Sequence, residues 1–126
     1  MSSIEPRSFK VVSTLSANRI VTANTAGSYT VAYPSAATVR PIGVTTDTVL
    51  DTTGSIPVAF AGVHKIQFND TMTTGGLVAA NSAGQGVPHV DTTAGSYVIG
   101  VLIGPSVAAT GTFADVLIQP HFKSIP

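Results

Sequence analysis

Gly95-Ser96-Tyr97-Val98-Ile99-Gly100-Val101-Leu102-Ile103-Gly104-Pro105 is the stretch on which the reading of this chain turns. Tyr97 to Ile103 is its densest run of β-branched and aromatic residues. Flanked by glycine and stopped by Pro105, that run predicts a strand buried on both faces. Its centre, Ile99-Gly100-Val101, occurs a second time as Ile42-Gly43-Val44. Sliding the chain by 57 residues superposes the two tripeptides. The same shift lays Val21, Ala23, Asn24, Ala26 and Gly27 on Val78, Ala80, Asn81, Ala83 and Gly84, Ala37 on Ala94, and Thr53-Gly54 on Thr110-Gly111. We read two copies of one β-unit, about Leu15 to Phe68 and Met72 to Phe122, behind a lead of residues 1–14 that holds an arm and a first strand. Two copies are too few for an open solenoid. They are expected to close on each other as a small pseudo-duplicated β-sandwich or barrel.

The rest of the chain agrees with an all-β class. Val and Thr are abundant, Leu and Glu are scarce, and turn signals recur at about the 8–12-residue spacing of sandwiches and barrels. Tyr29, Val31 and Tyr33 alternate as one face of a strand, and Val39 to Thr45 follows as the first core strand. Ile56 to Val63 and Lys65 to Phe68 read as a strand pair or one bent strand with a bulge at Gly62, and Asn69-Asp70 as the joint between halves. Asn81 to Gly86 reads as a tight turn, and Pro120 as the stop after a last strand, Phe113 to Gln119. A single helical turn fits at Ser35 to Thr38 or Ser106 to Thr110.

Composition narrows the function. Of 126 residues 44% are apolar and only 10% charged, against about 25% charged in ordinary soluble domains. So thin a charged skin solvates a free monomer poorly and argues for coverage by partners or by copies of the chain itself. A formal net charge of zero removes the long-range field that nucleic-acid binders use. No cysteine is present, which excludes disulfides and thiolate metal sites. Met1 to Lys10 lacks the pattern of a secretory leader. The longest uncharged run, Thr92 to Ala114, is interrupted by Gly100, Gly104, Pro105 and Gly111, well short of a spanning helix. The expectation is a soluble protein made in a cytoplasm, with neither nucleic acid nor membrane as partner.

Residues capable of chemistry are scattered. His64, His89 and His121 fall on different elements, with none at metal-binding spacing from another. Asp47, Asp51, Asp70, Asp91 and Asp115 lie mostly in turns, where carboxylates serve backbone N–H groups. No Gly-x-Ser-x-Gly elbow occurs, and neither Gly75-Gly76 nor Gly84-Gln85-Gly86 leads into a phosphate-binding Lys-Ser/Thr. No catalytic residue, metal site or cofactor is assigned, and an enzyme is not expected. The candidate binding residues belong to the arm: Ile4 and Phe9 are apolar, Arg7 and Lys10 basic, and together they suit docking on a partner. Deletion of residues 1–10 is expected to abolish that docking and to leave a folded domain. Arg19 reads either as solvated charge or as a further contact to an acidic partner.

The order of motifs resembles one family, the small capsid cement or head decoration proteins of tailed phages. The resemblance rests on Ala17-Asn18-Arg19-Ile20-Val21, Pro41-Ile42-Gly43-Val44 and Val58-Ala59-Phe60-Ala61-Gly62-Val63 in the first half. In the second it rests on Gly76-Leu77-Val78-Ala79-Ala80, Tyr97-Val98-Ile99-Gly100-Val101, Gly111-Thr112 and Val116-Leu117-Ile118. It implies a β-domain that binds the major capsid protein on the outer surface of an icosahedral shell as a homotrimer and stabilises that shell. The lead of fourteen residues before Leu15 departs from the family pattern. Alternatives are a tail- or fibre-associated adhesion module and, less in keeping with the residues, a small β-barrel enzyme using His64 or His89.

Overall fold

Ten strands make up the regular structure of the described residues, and they fall into two sets of five with one order. The structure, a computed structural model, describes residues 7–11, 13–25, 27–36, 39–48, 55–89 and 97–122. The first set is β1(Arg7–Val11), β2(Ile20–Ala23), β3(Thr30–Ala32), β4(Pro41–Thr45) and β5(Ser55–Ala59), closed into a barrel in the order β1-β3-β2-β4-β5. The second is β6(Gly62–Gln67), β7(Leu77–Ala80), β8(Gly86–Pro88), β9(Tyr97–Leu102) and β10(Phe113–Phe122), a sheet in the order β6-β10-β9-β7-β8. Traversed in the other direction the barrel runs β1-β5-β4-β2-β3, so each strand of the second set stands where the strand five earlier stands in the first. The molecule is all-β, and no helix occurs among the described residues, hence none long and apolar enough to cross a membrane.

Register carries the repeat further than strand order. Ile20 opposes Val44 and Val21 opposes Gly43 between β2 and β4. Leu77 opposes Val101 and Val78 opposes Gly100 between β7 and β9, each partner 57 residues on. Asn18 and Gly75, at the same offset, both take positive φ, 62° and 92°. The barrel closes through a parallel pair, Lys10 with Thr30 and Val11 with Val31. In the second set that closure shrinks to one parallel bridge, Phe68 with Gly86.

The apolar runs follow from this layering. Phe9, Val11, Leu15, Val21, Val31, Ile56 and Val58 fill the barrel. Ile20 and Val44, on the opposite faces of the same staves, join Ile66, Phe68, Val78, Ile99, Leu102, Val116 and Ile118 in a second core. β2 and β4 are therefore walls common to both cores, which is why Ile20-Val21 is apolar without alternation. Full burial of each such side chain stabilises by about 1.5–3 kcal/mol.

Four local expectations are corrected. Tyr29 does not head a strand face: its φ of 53° places it in a turn, 65% exposed, and β3 begins at Thr30. The segments on either side of Phe60-Ala61 are not one bent strand. The chain turns a corner at Gly62, and β6 leaves the barrel to pair with β10, from Gly62 opposite Ile118 to Gln67 opposite Phe113. Pro120 does not end the last strand, because a register shift between Ile118 and His121 lets β10 continue to Phe122. A proline lacks the N–H that a ladder needs, and an irregularity of this kind is where a strand tolerates it. No helical turn forms at Ser106 to Thr110, where Val107 instead exchanges hydrogen bonds with Met72 at 2.8 and 3.0 Å; the other candidate, Ser35 to Thr38, lies partly outside the described residues.

Candidate functional site

Two places stand out for what they do with the repeat: the junction between the two sets, and an open groove at the equivalent place in the second. At the junction the lead into β2 lies between β4 and β6. Asn18 N–H donates to Thr45 O at 2.9 Å, and Thr45 N–H donates to Arg19 O at 2.8 Å. On the other side Gln67 N–H donates to Asn18 O at 3.0 Å, and Asn18 Nδ2 donates to Lys65 O at 3.0 Å.

Arg19 staples the two sets. Its Nε and Nη2 donate to Gln67 Oε1 at 3.1 and 2.8 Å, and its Nη1 donates to Ala83 O at 2.9 Å. The guanidinium carbon lies 5.8 Å from the centre of the Tyr33 ring. This residue is thus neither a freely solvated charge nor an outward contact. Its planar fork suits one side-chain acceptor and one carbonyl at once.

The turn that Arg19 holds is seated in a cradle. Asn81 Oδ1 accepts from Ala83 N–H at 3.0 Å and from Gln85 N–H at 2.9 Å, and Gly84 has a φ of 74°. Ile20 N–H donates to Gly84 O at 2.6 Å. A Cβ at Gly84 would lie 2.5 Å from Ile20 O, 2.8 Å from Tyr33 Cδ1 and 3.2 Å from Arg19 Cβ. Glycine is required here on both counts, conformation and space.

The groove has a volume of about 440 Å³ and is lined chiefly by Met72, Gly76, Leu77, Pro88, His89 and Val107. Thr74 braces its rim: its hydroxyl donates to Gly104 O at 2.6 Å and its N–H donates to Ser106 Oγ at 3.0 Å. Among the described residues no carboxylate, lysine or arginine lines it. Such a site suits a neutral, partly apolar knob.

A second apolar surface crosses the outer face of the β6–β10 sheet. Val63 opposes Leu117, Leu117 opposes Val101, and Val101 opposes Leu77, so one row runs across four strands. Val63, Ile103 and Phe113 on this side are about half exposed. An ion pair beside them, Lys65 Nζ to Asp115 Oδ1 at 3.1 Å, neutralises itself.

The fold is similar to that of a bacteriophage head fiber base. The crystal structure of the N base of head fiber gp8.5 from bacteriophage phi29 matches 96% of this chain with 96% of its own, with a TM-score of 0.70 and 15% identity. No protein-family model and no curated protein sequence matches the chain.

The residues singled out in the sequence lie as follows. Ile4 is outside the described residues. Arg7 is a barrel residue, opposite Val58 in the β1–β5 ladder. Phe9 is buried in the barrel, its ring centre 6.0 Å from that of Tyr29 and 5.6 Å from that of Phe60. Lys10 is exposed, and its N–H donates to Tyr29 O at 2.7 Å. Residues 7–11 are consequently a stave hydrogen-bonded on both edges, to β3 and to β5. His64 Nε2 lies 3.1 Å from Ala61 O, His89 lines the groove, and His121 belongs to β10 opposite Val98. Asp70 Oδ1 accepts from Thr71 N–H at 2.8 Å, and Asp115 meets Lys65. Asp51 and Asp91 lie outside the described residues. Among the described residues no three of His, Cys, Asp and Glu gather as a metal site. Sequence reasoning missed the groove and the role of Arg19. A signal for the latter existed, since Arg19 stands where the second copy has Gly76.

Proposed function

We propose that this chain is a structural protein of a phage virion, one that coats the outside of an icosahedral head as a homotrimer bound to the major capsid protein. The observation that carries the reading is the likeness, over nearly the full length of both chains, to the N base of a phage head fiber. Two features of this chain add support. Its charged residues are few and balanced, and its second sheet presents an apolar row that a neighbour would cover. A stable contact of ordinary size buries about 1,600 Å². Threefold attachment then turns modest affinity per contact into firm binding, and a ligand that binds only the intact shell stabilises it by mass action.

A second reading, a fibre-associated module, draws on the same neighbour, itself the base of a head fiber. Addition of the purified chain to undecorated heads of its phage separates the readings. Density at threefold positions by electron microscopy, with a raised temperature of DNA release, is the result expected of a cement. Binding to tails or to cells in its place would overturn the capsid assignment.

A further inference from the structure

The groove is a self-association site: we propose that it receives the Gly27–Tyr29 turn of a second copy of this chain. The template is inside the molecule. Gly84 rests against Arg19, Ile20 and Tyr33. Shifted by 57 residues, Arg19 and Ile20 become Gly76 and Leu77; by ladder register, Tyr33, which follows the Thr22–Ala32 pair in β3, corresponds to Pro88, which follows the Ala79–Val87 pair in β8. Gly76, Leu77 and Pro88 are groove residues. The groove is thus the second copy of a cradle that is already filled in the first.

The matching knob exists as well. Gly84 shifted back by 57 is Gly27, within Ala23-Asn24-Thr25-Ala26-Gly27, the closest sequence match between the two halves. In the same chain this turn is not seated as its counterpart is: Thr25, Gly27, Ser28 and Tyr29 are all exposed. Tyr29 projects from it, 65% exposed and held at a positive φ by the Lys10 N–H on its carbonyl and by the Phe9 ring. Large aromatic side chains of this kind anchor interfaces. Charge decides between occupants. The turn carries no charged residue, and among the described residues the groove is lined by no carboxylate, lysine or arginine, so the two surfaces desolvate each other without stranding such a charge.

A knob on one half and a cradle on the other make a head-to-tail contact, which closes into a ring where the rotation permits. The inference deepens the homotrimer reading given above and rests on it, naming the surfaces by which copies meet. Because the chain has no cysteine, engineered thiols report cleanly. One preparation carries Ser28→Cys, a second of different mass carries Thr73→Cys, both substitutions at exposed positions. On mixing and oxidation the expected product is the mixed disulfide, while neither preparation links to itself to a comparable extent. Tyr29→Ser is expected to weaken association by about tenfold or more in sedimentation, with the melting curve little changed. An oligomer that survives Tyr29→Ser and yields no mixed disulfide overturns the groove assignment and leaves the trimer reading standing. A chain that is monomeric at every concentration and on heads overturns both. If Thr73→Arg removes the chain from heads but leaves its oligomer intact, the groove belongs to the capsid subunit, and the proposal falls.

Discussion

Replacing Gly43 and Gly100 by alanine, one at a time, tests the strand packing that the two halves share. A Cβ at Gly100 would overlap the carbonyl oxygen of Leu117 and lie 3.1 Å from Val116 Cγ1. At Gly43 it would overlap the carbonyl oxygen of Ala59 and lie 2.7 Å from Val58 Cγ1. In each case the main obstacle is backbone of the adjoining strand, so no rotamer change relieves it and the strand pair must part. Overpacking of this kind costs about 1–3 kcal/mol, and a disturbed cross-strand hydrogen bond adds about 1 kcal/mol. We expect about 3 kcal/mol for each substitution, a fall in melting temperature of about 10 °C for a chain of this size. Unfolding by heat and by urea, followed by far-ultraviolet circular dichroism, measures it. Gly75→Ala is the reference: a Cβ there meets nothing within 4 Å but must adopt a φ of +92°, a penalty of about 1–2 kcal/mol. Either packed-glycine variant melting within about 2 °C of the parent, above Gly75→Ala, would refute the reasoning.

Three further outcomes are expected. Deleting residues 1–10, which the sequence alone suggests leaves a folded domain, removes most of β1 and with it the barrel closure and Phe9, so the product loses its cooperative unfolding transition, whereas deleting residues 1–6 leaves that transition in place; a folded product from the longer deletion counts against the closed barrel. Arg19→Met keeps the aliphatic stem and loses the donors to Gln67 and Ala83, a destabilisation of about 2 kcal/mol, and in a double-mutant cycle with Gln67→Ala the coupling is about 1 kcal/mol; additivity would deny the staple. Asp115→Asn breaks the exposed pair with Lys65, whose side chains are 60% and 42% accessible, and stability in urea changes by less than about 0.5 kcal/mol.

Much of the architecture was legible because the repeat is written in residues that cannot be exchanged freely. Ile-Gly-Val marks the place where a strand must pass against its neighbour's backbone, so the tripeptide recurs and the register recurs with it. The boundary strand is less legible. Phe60-Ala61-Gly62 has no proline or polar cluster to announce a corner, and apolar residues run across it without a break. Tyr29 misled for a related reason: alternation with Val31 and Tyr33 is a period-two pattern, yet a left-handed backbone angle is invisible in a tyrosine. The docking-arm reading rests on Ile4, Arg7, Phe9 and Lys10, yet Phe9 beside Lys10 serves equally well in a barrel stave, where Phe9 and Val11 are buried and Ser8 and Lys10 exposed. The groove left no motif at all, because its lining comes from several loops and strand ends distant in sequence.

All five strands of the barrel come from residues 7–59, and each finds its ladder partners within that span. During synthesis the barrel can therefore close before β6 leaves the ribosome. The later strands then assemble on a finished surface, the Asn18–Ile20 segment and the shared β2–β4 wall, rather than on a searching chain. A mutation that slows barrel closure would accordingly be felt first as misplacement of the second set, well before the mature molecule lost any stability.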